Sequence, residues 1–323
     1  MPTAVSLFSG CGGSDAGVIR AGFEVLMAND VIAYARDVYL ANHPETDYVL
    51  GDVKKITDFP KSELLVGCYP CQGFSQGGAR QADRNINYLY LEFVRALLDI
   101  QPKAFIVENV AGMRRSTYQH LLDDQIARFS SAGEHGYNVS WKVLNAEDFG
   151  VAQERRRIII VGVRRDLGEN FTFPLPTHGV ECGFPLRTIE DEIGDLPVWP
   201  EGEFFDTPFH WYYLSRNRRR DWNELSKTIV ANQRHIPLHP ISPPLEKIGD
   251  DEWRFITDLP SRRFSYREAA RLQGFGREGE IGAITQFPDT ENASLANKYK
   301  VIGNAVPPPL FEAVVRALPN VWD

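Results

Sequence analysis

Two stretches of the chain carry residues able to do covalent and proton-transfer chemistry. In Gly67-Cys68-Tyr69-Pro70-Cys71-Gln72-Gly73-Phe74-Ser75 an apolar run ends at two thiols. Their spacing is that of a redox or zinc pair. Zinc needs more ligands and no second such pair exists, and nothing else in the chain resembles the much smaller thioredoxin fold. A thiol at a strand end beside a glycine-rich polar stretch is a better candidate nucleophile, since a helix start or an arginine can lower its pKa while it meets substrate. Cys71 holds that position, and Cys68, still in the apolar run, is expected to pack. The second stretch, Phe105-Ile106-Val107-Glu108-Asn109-Val110, ends an apolar run on a carboxylate. Burial there raises a carboxyl pKa and suits proton donation; the alternative is a helix-capping acid.

Three further sites are built from polar residues at run ends. Phe8-Ser9-Gly10-Cys11-Gly12-Gly13-Ser14 follows an apolar run and opens a helix. Its glycines allow a tight turn and close approach of a ligand, and the helix start offers free amides, although a short glycine string also occurs as an ordinary turn. Asp30 sits beyond the second run, where an acid would reach ribose hydroxyls, and Asp52 beyond the third could accept from an adenine amino group; either could instead be a cap. In Gln153-Glu154-Arg155-Arg156-Arg157 alternation turns Gln153, Arg155 and Arg157 to one side. Their partner is then an anion or a base carbonyl, unless they form a surface salt-bridge ladder.

The elements that must position these groups alternate. Residues 5–8, 25–28, 48–50, 64–67, 105–107, 139–143 and 158–163 read as strands, and 16–21, 31–42, 88–100 and 118–132 as helices. This predicts an α/β, doubly wound, mostly parallel sheet whose ligands gather at the carboxyl ends of the strands. From about residue 171 prolines interrupt anything periodic, so 171–288 is expected to be a smaller, irregular, β-leaning domain. Helical patterning returns at 266–272 and 310–318.

The 323 residues, 43% hydrophobic and 24% charged, suffice for a sizeable core and about two domains. A net charge of -8 means that any nucleic-acid partner must be met by a local basic patch. Arg216-Asn217-Arg218-Arg219-Arg220, with Arg234, His235 and His239, supplies one, although such a run is equally read as a solvated face. Four cysteines do not make a disulfide scaffold, no run is long enough to span a bilayer, and the first residues do not read as a secretory signal. The expected location is the cytoplasm, in association with the nucleoid.

Taken in order, Phe8-Ser9-Gly10-Cys11-Gly12-Gly13, Pro70-Cys71-Gln72-Gly73-Phe74-Ser75, Glu108-Asn109-Val110, Gln153-x-Arg155-x-Arg157, Arg267-Glu268-Ala269-Ala270-Arg271-Leu272-Gln273-Gly274-Phe275 and Gly303-Asn304-Ala305-Val306-Pro307-Pro308 resemble the motifs of the DNA (cytosine-5)-methyltransferases over nearly the whole chain. The resemblance implies methyl transfer from S-adenosylmethionine, leaving S-adenosylhomocysteine, to C5 of a cytosine flipped out of the duplex. It implies that Cys71 attacks C6, that Glu108 holds N3 and the exocyclic amine and supplies a proton, and that Arg155 binds O2 with Arg157 in support. It places the cofactor across Phe8, Gly10, Gly12 and Gly13, with Asp30 on ribose, Val31 against adenine, Asp52 near its amine, Leu89 lining the pocket and Asn304 at the methionine end. Motif order makes residues 1–170 plus about 289–323 the catalytic domain and 171–288 the target-recognition domain.

Departures from the family pattern are few. Tyr69 replaces the first residue of Pro-Pro-Cys, Ile86 stands where an arginine is common, with Arg84 the expected substitute for its phosphate contact, and Gly276 replaces a proline. Residues 215–224, 228–230, 233–235 and 238–240 are similar to the recognition domains of the GGCC-specific bacterial branch. Arg218, Arg220 and Arg234 are the expected base readers, because arginine pairs with guanine O6 and N7 and alternation turns 218 and 220 together. The partners implied are double-stranded DNA and a cognate restriction endonuclease; the enzyme is expected to be monomeric, without a metal or a membrane. Rival readings are a DNA-binding protein with a degenerate site, an RNA methyltransferase and a redox protein.

Overall fold

The structure, a computed structural model, describes residues 1–70, 88–114 and 118–322. Strands β1 (Thr3–Leu7), β2 (Glu24–Asp30), β3 (Asp47–Leu50), β4 (Leu64–Gly67), β5 (Ala104–Val110), β6 (Tyr137–Asn145) and β7 (Arg156–Arg164) form one sheet in the order β3-β2-β1-β4-β5-β7-β6. The pairs among β1 to β5 are parallel, as the alternation predicts, whereas β7 runs antiparallel to both β5 and β6. The reversal has a local cause: residues 146–155 between β6 and β7 are too few for a crossover, and a parallel connection needs about a dozen or more.

Strand alternation feeds two apolar layers. Val5, Leu7, Leu65, Phe105, Val107, Ile158 and Ile160 point to one face, and Ala4, Leu64, Val66, Ile106, Ile159 and Val161 to the other. Helices α3 (Tyr90–Ile100) and α4 (Gln119–Ser130) cover the first face. Phe93, Ala96, Leu97 and Ile100 repeat at helical spacing, so α3 buries one stripe, and Phe93 meets Phe105 and Phe129 edge-on at 5.8 and 5.5 Å. Helices α1 (Gly13–Arg20) and α8 (Pro308–Arg316) cover the second face. They cross closely because α1 carries glycine at the contact: a Cβ on Gly13 would lie 2.3 Å from the Val306 carbonyl oxygen, and one on Gly17 2.8 Å from the Glu312 nitrogen.

The remaining helices are α2 (Ala33–Asn42), after β2, then α5 (Ile189–Ile193), α6 (Tyr266–Leu272) and α7 (Leu295–Asn304). Sequence patterning predicts α6 to the residue, and its start is set by a capping box between Ser265 and Glu268. Helices α5 and α7 and the hairpin β8 (Leu245–Gly249) and β9 (Glu252–Phe255) are not in that reading. A third apolar cluster draws Ala16, Tyr34 and Val38 together with Ile189, Ile229, Phe264, Tyr299 and Ile302, so the proline-rich stretch packs onto α1, α2 and α7. Among the described residues no helix is long and apolar enough to cross a membrane.

Candidate active site

The strand order reverses between β1 and β4, and in open sheets of this kind ligands bind at that switch, beyond the carboxyl ends. Phe8, directly after β1, has φ 59°, a left-handed conformation that costs a bulky residue of the order of 1–3 kcal/mol. Gly10 (φ 55°) and Gly12 (φ 94°) continue the turn at positions suited to glycine. The turn is tied down by Asp30, whose Oδ2 accepts from the Gly10 amide at 3.0 Å and whose Oδ1 accepts from the Ile32 amide at 3.0 Å. Tyr48 donates its hydroxyl to the Gly10 carbonyl at 3.0 Å. Burial pushes the Asp30 carboxyl up, and the amides it accepts from work against that.

Beside this turn Val31 is 66% exposed, an apolar face left open at the end of β2. Asp52 accepts from the Lys54 amide at 3.0 Å and caps a short 3-10 turn, the alternative open to it in the sequence. A cleft of about 370 Å3 lies alongside, lined by Val49, Leu50, Gly51, Asp52, Lys55 and Ile56 among others. Leu89 is half-buried at the start of α3, and Asn304 ends α7 exposed to solvent.

Cys71 and Arg84 lie outside the described residues. What leads to Cys71 is firmly held: the Tyr69 hydroxyl donates to Gln125 Oε1 at 2.5 Å, and Asn109 Nδ2 donates to the Tyr69 carbonyl at 3.2 Å. Neither Asn109 nor Gln125 stands out as a supporting residue in the sequence, although the place of Asn109 beside Glu108 was a usable signal. Cys68 packs against the second apolar layer, as expected, and burial pushes its thiol far up, away from a reactive thiolate.

Glu108 is buried on β5. Because β7 is reversed, its first residues lie at the carboxyl end of β5: Val110 pairs with Arg157 and Glu108 with Ile159. Arg157 is therefore the diagonal neighbour of Glu108 on the same face, and its Nε stands 2.7 Å from Glu108 Oε1. Burial raises the Glu108 pKa, and the guanidinium groups of Arg157 and Arg155 pull it back. The site holds a carboxyl that can be tuned between its two protonation states, in contact with a guanidinium.

Arg155 departs from expectation. Its guanidinium is buried and, among the described residues, donates only to main chain, to Ile229 O at 3.0 Å, Gly303 O at 3.0 Å and Ala305 O at 2.9 Å, with its Nε left over. Among the described residues it makes no ion pair and acts on Glu108 only through its charge, whereas Arg157 touches that carboxylate directly. Gln153 is buried too, accepting from the Ile229 amide at 2.8 Å and donating to Leu272 O at 3.0 Å and Gln273 Oε1 at 2.8 Å. These side chains fasten the end of the sheet to residues 226–230, 272–273 and 303–305; they do not form a surface ladder.

The arginine run divides by partner. Arg219 is spent on Ser242 O (2.8 Å), Pro240 O (3.0 Å) and Asp221 (2.7 Å). Arg220 pairs with Glu154 at 2.9 Å. Arg218 lies over the Tyr213 ring, 5.0 Å from its centroid, and Arg216 and Arg234 are exposed. His239, expected in the positive patch, is instead buried, accepts from the Ile241 amide on Nδ1 at 3.1 Å, and is held neutral because burial and Arg262 press its pKa down to about 3.

A central sheet open at a β1/β4 switch, a glycine turn with an acid beyond the next strand, and a carboxyl-guanidinium pair at the carboxyl end of β5 are the arrangement of the doubly wound methyltransferase fold. Residues 3–320 match the family model described as C-5 cytosine-specific DNA methylase, and the chain belongs to that family of DNA-modifying enzymes. It is 39% identical to the Type II methyltransferase M.BsuRI of Bacillus subtilis over 349 aligned positions, covering 98% of this chain and 79% of that protein. With the Type II methyltransferase M.NgoPII of Neisseria gonorrhoeae it shares 36% identity, covering 99% and 96%. Among solved structures, the S. pombe Dnmt2 methyltransferase superposes with a TM-score of 0.67 at 16% identity, covering 98% and 97%, and bears on the fold alone.

Proposed function

We propose that this enzyme methylates C5 of a flipped-out cytosine in a short G·C-rich duplex site, GGCC-like, using S-adenosylmethionine and a covalent Cys71 adduct. The observation that carries the reading is the contact of Glu108 with Arg157 at the carboxyl edge of β5, beside the segment that leads to Cys71. The target carbon is inaccessible in a stacked duplex, so the base must leave it. The Cys71 thiolate forms a bond to C6, Glu108 donates a proton at N3, and the electron pair moves to C5. Arg157 holds O2 and the ionised Glu108, with Arg155 setting the strand end behind it. After methylation, water takes the C5 proton, the electron pair re-forms the C5–C6 double bond and expels the Cys71 thiolate, and N3 returns its proton to Glu108.

S-adenosylmethionine supplies the methyl group when bound. The residues present fit it: the left-handed turn at Phe8, Gly10 and Gly12, with Gly13 opening the helix, makes room for close approach, and Asp30, Val31, Asp52, Leu89 and Asn304 offer a ribose acceptor, an adenine face, an amine acceptor, an apolar wall and a polar end. In this reading residues 1–170 with about 289–323 do the chemistry and 171–288 read DNA. Arg218 and Arg234 are the leading base readers because, among the described residues, Arg218 lies on a ring without an ion pair and Arg234 is exposed; Arg220 joins them once its pair with Glu154 opens, and Arg84 contacts phosphate. The enzyme acts as a monomer beside the nucleoid, protecting DNA from a cognate endonuclease that cuts the same site.

Bisulfite sequencing of DNA from cells expressing the protein tests this, with Cys71→Ala as control. A G·C palindrome protected only by the wild type is the expected result. Purified protein should also form a stable complex with 5-fluorocytosine DNA, where fluorine cannot leave as the proton does, and Cys68→Ala should still trap while Cys71→Ala should not. Methylation of tRNA with unmodified DNA would overturn the substrate, and trapping by Cys71→Ala would overturn the adduct.

A further inference from the structure

Tyr213 is buried in a part of the chain with little regular structure, where it touches one of the arginines that lead the proposed reading of DNA and bonds to the end of the turn that carries the other. The Arg218 guanidinium lies over its ring at 5.0 Å. Its hydroxyl donates to the Ile236 carbonyl at 2.8 Å, and Ile236 closes the 3-10 turn Gln233–His235 that carries Arg234. The start of the same turn is fixed by Asn232, whose Oδ1 accepts from the Arg234 amide at 3.0 Å. The Leu238 amide then donates to the Arg218 carbonyl at 3.2 Å, which ties the two segments to each other.

The ring itself is held by further neighbours. Phe209 lies 4.9 Å from it, centroid to centroid, and Arg263 lies 4.7 Å from its centroid, with Nη1 donating to Phe205 O and Thr207 O at 3.0 Å each. Arg263 is buried among aromatic faces with no carboxylate bridge among the described residues, so its charge is met by the rings and by main-chain carbonyls. A long, flexible arginine that must be ordered on contact with a base loses rotamer freedom, and stacking it beforehand on a fixed ring removes that loss. In contrast to Arg219 and Arg220, which are oriented by oxygen partners that occupy their donors, Arg218 is oriented by a ring face. That contact leaves hydrogen-bond donors for a guanine.

We propose that Tyr213 is a positioning residue of target recognition, its ring setting Arg218 and its hydroxyl setting the turn that presents Arg234. The inference rests on the proposed role of those arginines. The test is methyl transfer from labelled S-adenosylmethionine to duplexes carrying the site found by bisulfite sequencing and to duplexes with each base pair of it changed in turn. Tyr213→Leu should lose roughly tenfold or more of the discrimination at the base pair where Arg218→Ala loses it, and the double variant should be no worse than either single one. Tyr213→Phe keeps the ring and should keep discrimination there within about twofold, while relaxing it at the base pair read by Arg234. Cofactor affinity and thermal melting report whether each variant is folded; if Tyr213→Leu is not, Tyr213→Phe alone decides. Equal slowing on every duplex, or unchanged discrimination in the folded variants, would overturn the inference while Arg218→Ala still supports the base-reading role. Unchanged discrimination in Arg218→Ala would overturn that role and the inference with it.

Discussion

Arg157 Nε and Glu108 Oε1 meet at 2.7 Å across two antiparallel strands, and the pairing leaves Glu108 with opposed influences, burial raising its pKa and the guanidinium lowering it. Replacing Glu108 by glutamine removes the proposed proton donor with little change of shape. Single-turnover methylation should fall by roughly 10²- to 10⁴-fold, the range of positioned acid-base catalysis, with cofactor affinity unchanged in calorimetry. Arg157→Met should raise the Glu108 pKa further, so its residual rate should hold to higher pH than that of the wild type in a pH-rate profile.

Asp30→Ala should weaken binding of S-adenosylmethionine by roughly tenfold or more, because hydrogen bonds to a charged group contribute about 1.5–3 kcal/mol. In the structure the same carboxylate also holds the Gly10 and Ile32 amides. The loss should therefore come with a looser turn, visible as faster amide exchange at Gly10. An affinity equal to the wild type would reduce Asp30 to a clasp of that turn.

Arg155→Met should destabilise the fold more than it slows any step separable from folding. Three buried carbonyls lose their donor, each at about 1–3 kcal/mol, partly offset by removing a buried charge. Urea titration should show a net loss of roughly 3 kcal/mol. A fully stable Arg155→Met protein lacking activity would return this residue to the base-facing role.

His239 should make stability fall with acid. Its folded pKa of about 3 lies below the ordinary value of 6.5, so the unfolded chain binds the proton that the folded chain refuses. Its contribution is complete above pH 6.5 and is lost as pH falls toward 3, with a slope approaching about 1.4 kcal/mol per pH unit. In denaturation curves taken from pH 7 to 5, His239→Gln should show a shallower decline than the wild type.

What could be read from the sequence follows from how local each determinant is. Strands β1 to β5 are apolar runs between turn residues, so their parallel order follows from alternation. The reversal of β7 depends on how few residues separate it from β6, a constraint that periodicity alone does not register. Helix α7 carries two asparagines and a glycine, poor helix formers, and only Ser294, which accepts from the Asn297 amide, marked its start. The site divides the same way. Cys71, Glu108 and Asp30 sit at run ends and announce themselves, whereas the partners of Arg155 lie 74, 148 and 150 positions away and are main-chain oxygens that no side-chain pattern displays. Arg218, Arg219 and Arg220 are alike in sequence and differ only in what folds against them.

The crossing of α1 by α8 has a bearing on how the molecule is made. One apolar layer of the sheet, including Ala4, Val66, Ile106 and Val161, is roofed by Leu310, Phe311 and Val314, which are made after all seven of its strands and after the proline-rich stretch. Until they emerge, the first seven strands can pair and one side can be covered by α3 and α4, but the other side stays greasy and open to chaperones and to self-association. The glycine turn also lacks its final support, because Gly13 rests against Val306. Nascent chains thus lack this support for the glycine turn until translation has passed residues 171–288, so the turn and the proline-rich stretch are completed together.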